Sequence, residues 1–130
     1  MTSSRNEIPI PVRRFLEENI DTVPQLETLL MMQENPDRNW SIADVASRNY
    51  ITEQRATDTL HALLRRRLVV AEDATRTFRF NPASEDIRAL VTELAIYYQR
   101  MLSAVTELIH AKPSASIKEF ARAFDLKKDR

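Results

Sequence analysis

The 130-residue chain contains no glycine and no cysteine. At the usual abundance of about 7 %, roughly nine glycines would be expected. Walker-type phosphate loops, dinucleotide-binding turns, nucleophile elbows and EF-hand loops all need glycine where the backbone nears a ligand or takes positive φ, so none can be written here. Without cysteine there is no disulfide framework, thiolate zinc site or Cys nucleophile. The two histidines, His61 and His110, have no partner at ligand spacing. We therefore expect no metal, no cofactor and no enzyme. The polar start Met1 to Asn6 lacks an apolar signal region, and no run approaches about 18 consecutive apolar residues. The expectation is a cytoplasmic protein with no membrane partner.

What is present is ordinary for a globular chain, 43 % hydrophobic and 29 % charged. We expect one domain over residues 1–130: an N-terminal arm and helix at 1–21, a core at 22–82, and a helical segment at 83–130. Lysine plus arginine number 19, as do aspartate plus glutamate, so an indiscriminate polyanion binder is excluded. Positive excess is local. Residues 51–81 hold six basic and four acidic groups, and residues 112–130 six and three.

Hydrophobic spacing predicts the elements. Val12, Phe15, Leu16 and Ile20 recur at helical spacing between Pro11 and Asp21. A second helix carries Val23, Leu26, Leu29 and Leu30, with Pro24 tolerated in its first turn and Asn35, Pro36 and Asp37 closing it. After a short strand around Trp40, Ser41 with Asp44 three residues on writes a capping box for a helix to about Arg48. Asn49 is expected to take the left-handed conformation that stops it. Thr52 is the next N-cap, with a helix to about Arg66 that buries Ala56, Leu60, Leu63 and Leu64. Leu68 to Val70 and Thr77 to Asn81 then read as a β-hairpin closed by Pro82. Two tight places, after Arg48 and before Leu68, must be turned without glycine, by Asn49 and around Arg67.

From Ser84 a helical pattern runs to about Ala111, some 42 Å at 1.5 Å per residue. Ile87, Val91, Leu94, Tyr98, Met101, Val105 and Leu108 alternate by four and three as a seam. We expect that seam to face a second copy of the chain; the alternative is that the first two helices and the last helix cover it within one chain. Tyr97 and Tyr98 can line a pocket beside it, although core or interface packing is the stronger explanation. A last helix from Ser116 would bury Ile117, Phe120, Ala121 and Phe124.

The stretch SIADVASRNYITEQRATDTLHALLRRRLVV resembles the MarR-type pattern: a capped helix, a turn, a helix ending in Leu-x-x-Leu, and a Leu-Val strand start. That pattern commonly has glycine before the strand, where this chain has Arg67. NIDTVPQLETLLMM with Pro36 and Trp40, and the closing AVTELIHAKPSASIKEFARAFDLKKD, extend the resemblance to about residues 12–129. It implies a mainly α fold with a small β-hairpin, a winged helix-turn-helix with a long C-terminal dimerisation helix. It also implies transcriptional control. The wide apolar surface of the long helix points separately to a homodimer, whose two recognition helices would read double-stranded DNA at a palindromic site.

In such a fold the helix from Thr52 to Arg66 enters the major groove. Projecting it at 100° per residue leaves Gln54, Asp58, His61, Ala62 and Arg65 outward, with Arg55 and Thr57 on the flanks. Gln54 and Arg55 suit adenine and guanine edges, Thr57 a phosphate or thymine methyl, and Arg65 a phosphate. Arg76 and Arg79 on the hairpin can reach an adjacent minor groove or the backbone. Asp58 works against the phosphates unless it pairs with Arg55 or Arg65, or accepts from a cytosine amino group. The same face, with Glu53, Asp58, Glu72 and Asp73, suits a protein-interaction module as the alternative.

Overall fold

The computed structural model describes residues 8–74 and 76–111. The expected helix from Ser116 lies outside them. Six helices and three short strands follow in order: α1 Ile10–Asn19, α2 Val23–Glu34, β1 Trp40–Ser41, α3 Ile42–Asn49, α4 Glu53–Arg65, β2 Val69–Glu72, β3 Thr77–Phe80, α5 Glu85–Arg100 and α6 Leu102–His110. The strands form an antiparallel sheet ordered β1-β3-β2. Its register sets Trp40 opposite Phe78 and Val69 opposite Phe80. The pleat therefore turns Trp40, Phe78 and Phe80 to the core, and all three are buried.

The starts of α2, α3 and α4 have local causes. Thr22 accepts a hydrogen bond from the Gln25 N–H, so α2 begins there with Pro24 harmless in its first turn. At α3 the Ser41 hydroxyl accepts from the Asp44 N–H at 3.0 Å while the Asp44 carboxylate accepts from the Ser41 N–H at 3.3 Å. That is the expected capping box. Thr52 caps α4 by accepting from the Arg55 N–H at 3.1 Å.

Both glycine-free turns use left-handed residues. The first is Tyr50 at φ 56°, not Asn49 as expected. Asn49 stays helical because its amide donates to the hydroxyl of buried Thr28 at 2.9 Å, tying α3 to α2. The left-handed position moves on by one residue. Arg67, at φ 61°, makes the second turn, with its N–H donating to the Leu64 carbonyl and the Leu68 N–H to the Leu63 carbonyl. This is a Schellman end built on arginine. Since a side chain at Cβ penalises this conformation, Arg67→Gly is expected to stabilise the fold by about 0.5–1 kcal/mol. Thermal unfolding should move up by roughly 2–5 °C; an unchanged or lower midpoint would show that the turn is not strained. Asp73 and Ala74 carry the hairpin turn, also at positive φ.

The single long helix expected from Ser84 to Ala111 is two helices. The backbone leaves helical geometry at Met101, φ −131° and ψ 50°, with neither proline nor glycine there. The break lets α6 return over α1, which α5 also contacts. Val91 and Leu94 from α5, with Val105 and Ile109 from α6, then join one core with Val12, Phe15 and Leu16 of α1. A straight helix some 42 Å long would have carried the last two beyond the domain. Three residues of the seam assigned to a second copy are instead core residues of this chain. Val91, Leu94 and Val105 are fully buried within their own chain, and Ile87, Tyr98, Met101 and Leu108 pack partly against the same core. The large apolar side chains left exposed on these helices are Ile96 and Leu102, with Ile10 on α1.

Candidate nucleic-acid interface

Helix α4 is anchored by Ala56, Leu60 and Leu63, all 0 % exposed, and by Thr59, at 4 % exposed and absent from the expected inward set. Burying one stripe leaves the opposite stripe in solvent. Thr52, Gln54, Arg55, Asp58, His61 and Arg65 are exposed, and Thr57 is half-buried with its hydroxyl donating to the Glu53 carbonyl at 2.8 Å. The helix thus gathers along one face the residues expected there.

Their pairings differ from expectation. The partner of Asp58 is neither Arg55 nor Arg65: Gln54 Nε2 donates to Asp58 Oδ1 at 3.1 Å, one helical turn away. Among the described residues the Arg55 and Arg65 guanidiniums have no hydrogen bond or ion pair. Arg55, Asp58 and Thr59 border a hollow of about 240 Å³ whose far wall is Thr22, Pro24 and Gln25, the start of α2. His61 leans on the sheet, its ring 6.2 Å from that of Phe78 and inclined by 56°.

The basic residues beyond α4 divide by role. Arg66 turns back to α1, donating to the Glu18 carbonyl and pairing with Asp21 at 3.6 Å. Arg79, half-buried on β3, is held by Glu72 across the hairpin at 3.3 Å. Arg76, in the hairpin turn, is exposed. Arg38 and Arg48 lie over the Trp40 ring, 3.8 and 5.6 Å from its centre, an arrangement no spacing rule in the sequence announces. Their stacking depends on the chain folding Trp40 inward between the α2–β1 loop and α3.

A second hollow of about 460 Å³ lies between α2, α5 and the turn before α4, lined by Glu27, Met31, Arg48, Tyr50 and Tyr98 among others. Of the tyrosine pair, Tyr98 borders it and Tyr97 does not. The Tyr98 hydroxyl donates to Glu27 Oε2 at 3.2 Å. Burial raises its pKa above the ordinary 10.0, and the Glu27 charge and hydrogen bond add to the rise. The fold therefore favours the neutral phenol; this contribution to stability is complete below pH 10 and lost as pH rises through the raised value. In an alkaline absorbance titration, one phenolate component should appear above the ordinary value and vanish in Tyr98→Phe. Loss of a component at or below it would contradict the Glu27 contact.

Among the described residues no group of histidine, aspartate or glutamate could hold a metal ion, and no helix is long and apolar enough to cross a membrane. No protein-family model and no curated protein matches the chain. Solved structures do resemble it. One is the multiple antibiotic-resistance repressor MarR from Listeria monocytogenes: 21 % identity, TM-score 0.50, covering 91 % of this chain and 79 % of that one. Another is MepR, a transcription regulator of the Staphylococcus aureus multidrug efflux pump MepA: 19 % identity, TM-score 0.50, covering 91 % and 84 %. A mutant of MepR bound to an oligodeoxyribonucleotide matches with the same figures. At such identities the likeness speaks for the architecture, and the chain has the winged-helix fold of MarR-type transcription regulators.

Proposed function

We propose that the chain is a dimeric, sequence-specific DNA-binding transcriptional regulator acting in the cytoplasm. The observation that carries this reading is the exposed α4 face, which offers Gln54 and Arg55 at its N-terminal end and Arg65 at the other. Arg76 flanks it from the wing. A glutamine and an unpaired arginine in one turn suit base edges in a major groove, and the remaining arginines suit phosphates. The oligonucleotide complex of MepR supports the same use of this fold.

Dimerisation enters for an energetic reason. With 19 charges of each sign, one copy gains little from the polyanion field, whereas two recognition helices related by a two-fold axis add their contacts on a palindrome. Among the described residues of α1, α5 and α6, Ile10, Ile96 and Leu102 are large apolar side chains exposed for such a contact. Sedimentation at micromolar concentration should give twice the 15.1 kDa chain mass. A species at the chain mass would remove the palindrome.

The test of the reading is selection of bound duplexes from a random-sequence pool by the purified protein. Enrichment of a motif with two-fold symmetry supports it. A pool that stays random favours the second reading, a protein-interaction module, to which the acids Glu53, Asp58, Glu72 and Asp73 on and beside this face would belong.

A further inference from the structure

Asp58 is an exposed carboxylate on the face assigned to DNA, and the phosphates' field opposes it there. Its position also places it one turn from Gln54, whose Nε2 donates to Asp58 Oδ1 at 3.1 Å. No ion pair involves Asp58 among the described residues. An ionised carboxylate only accepts hydrogen bonds, so the glutamine amide can meet it only through its nitrogen. The flipped amide would set oxygen against oxygen. Oε1 is therefore turned away from Asp58, and the second N–H of Nε2 is left unused by this contact.

We propose that Asp58 is a specificity-determining residue that fixes the orientation of the Gln54 amide; this rests on the DNA-binding reading above. An amide so held offers an acceptor at Oε1 beside a remaining donor. Adenine presents the complement in the major groove, a donor at N6 and an acceptor at N7. Guanine presents acceptors at both O6 and N7, and the fixed Oε1 repels O6. With Asp58 removed, the amide can rotate and direct its N–H groups at guanine. Asp58 thus trades phosphate attraction for discrimination between the two purines.

The experiment uses the duplex selected by the wild-type protein and the set of duplexes in which each base pair is changed in turn. Binding is measured for wild type, Asp58→Ala, Asp58→Glu, Gln54→Ala and the double alanine variant, with circular dichroism confirming helix content. Wild type should prefer adenine over guanine by about tenfold at one position per half-site, within the worth of one bidentate contact. Asp58→Ala should reduce that preference to about twofold or less while binding bulk DNA more tightly, since a negative charge has left the interface. Asp58→Glu, which keeps a carboxylate within reach, should retain most of the preference. In the Gln54→Ala background, removing Asp58 should change nothing further at that position. The proposal is overturned if Asp58→Ala keeps the purine preference, or weakens all positions alike. If wild type selects no duplex, the DNA reading itself fails, before any Asp58 variant is compared.

Discussion

Trp40→Ala is expected to lower the stability of the folded chain by about 3–5 kcal/mol, the cost of emptying a large aromatic site in a packed core. Trp40 is 0 % exposed, stands opposite Phe78 in the register of β1 and β3, and lies under the guanidiniums of Arg38 and Arg48. Its loss leaves a cavity between α3 and the sheet and two arginines without their stacking surface. Against a typical total of about 5–15 kcal/mol, a loss of that size leaves a substantial unfolded fraction at ambient temperature. The indole N–H is buried without a hydrogen-bond partner among the described residues, so the site gains no stability from its polar atom. Trp40→Phe keeps most of the apolar volume and removes the unsatisfied donor, and should cost less than about 2 kcal/mol. Denaturant unfolding followed by circular dichroism compares both variants, because the chain's sole tryptophan is the residue replaced. Equal losses for the two would mean that volume is not what Trp40 supplies.

The second large effect concerns binding. Arg55→Ala combined with Arg76→Ala is expected to weaken binding to a selected duplex by about 10²-fold, one base contact and one phosphate contact per half-site being removed. The two should differ in kind. Arg55 lies in the first turn of α4, and its loss should relax preference at one base position. Arg76, in the hairpin turn, should weaken all duplexes alike and shallow the salt dependence by about one ion per half-site. Arg79→Ala, whose guanidinium is engaged by Glu72, should have the smaller effect of the wing arginines. Fluorescence anisotropy at several salt concentrations separates these outcomes. A double variant that binds like wild type would remove α4 and the wing from the interface.

Features governed by neighbours in the chain were legible in the residues alone. The Ser41–Asp44 box, the Thr52 cap, and the alternation of Thr77, Phe78, Arg79 and Phe80 each depend on contacts within a few residues or on strand period. The exposed stripe of α4 followed from its buried stripe for the same reason. Features decided by tertiary contact were not. Met101 carries no residue that breaks helices; the break is set by the burial of Val105 and Ile109 in the core that α1 shares with α5. Asn49 was legible as a helix stop but not as the partner of Thr28, which lies 21 positions earlier, and that bond moves the left-handed residue to Tyr50. The apolar seam of α5 and α6 has the same spacing whether it meets a second copy or its own chain, so periodicity alone could not distinguish them. Among the site residues, pairing was the least readable property. Gln54 captured Asp58, Arg66 turned to Asp21, and Arg79 to Glu72, each settled by side-chain reach in the folded chain.

The central claim is that the α4 face reads DNA sequence. Its most direct test is titration of the wild-type protein onto fragments of its own promoter region and onto bulk DNA of equal length, at rising salt. Preferential binding of one fragment, with a preference that persists as salt weakens both affinities, is the result expected. Equal binding to every fragment, falling together with salt, would contradict it.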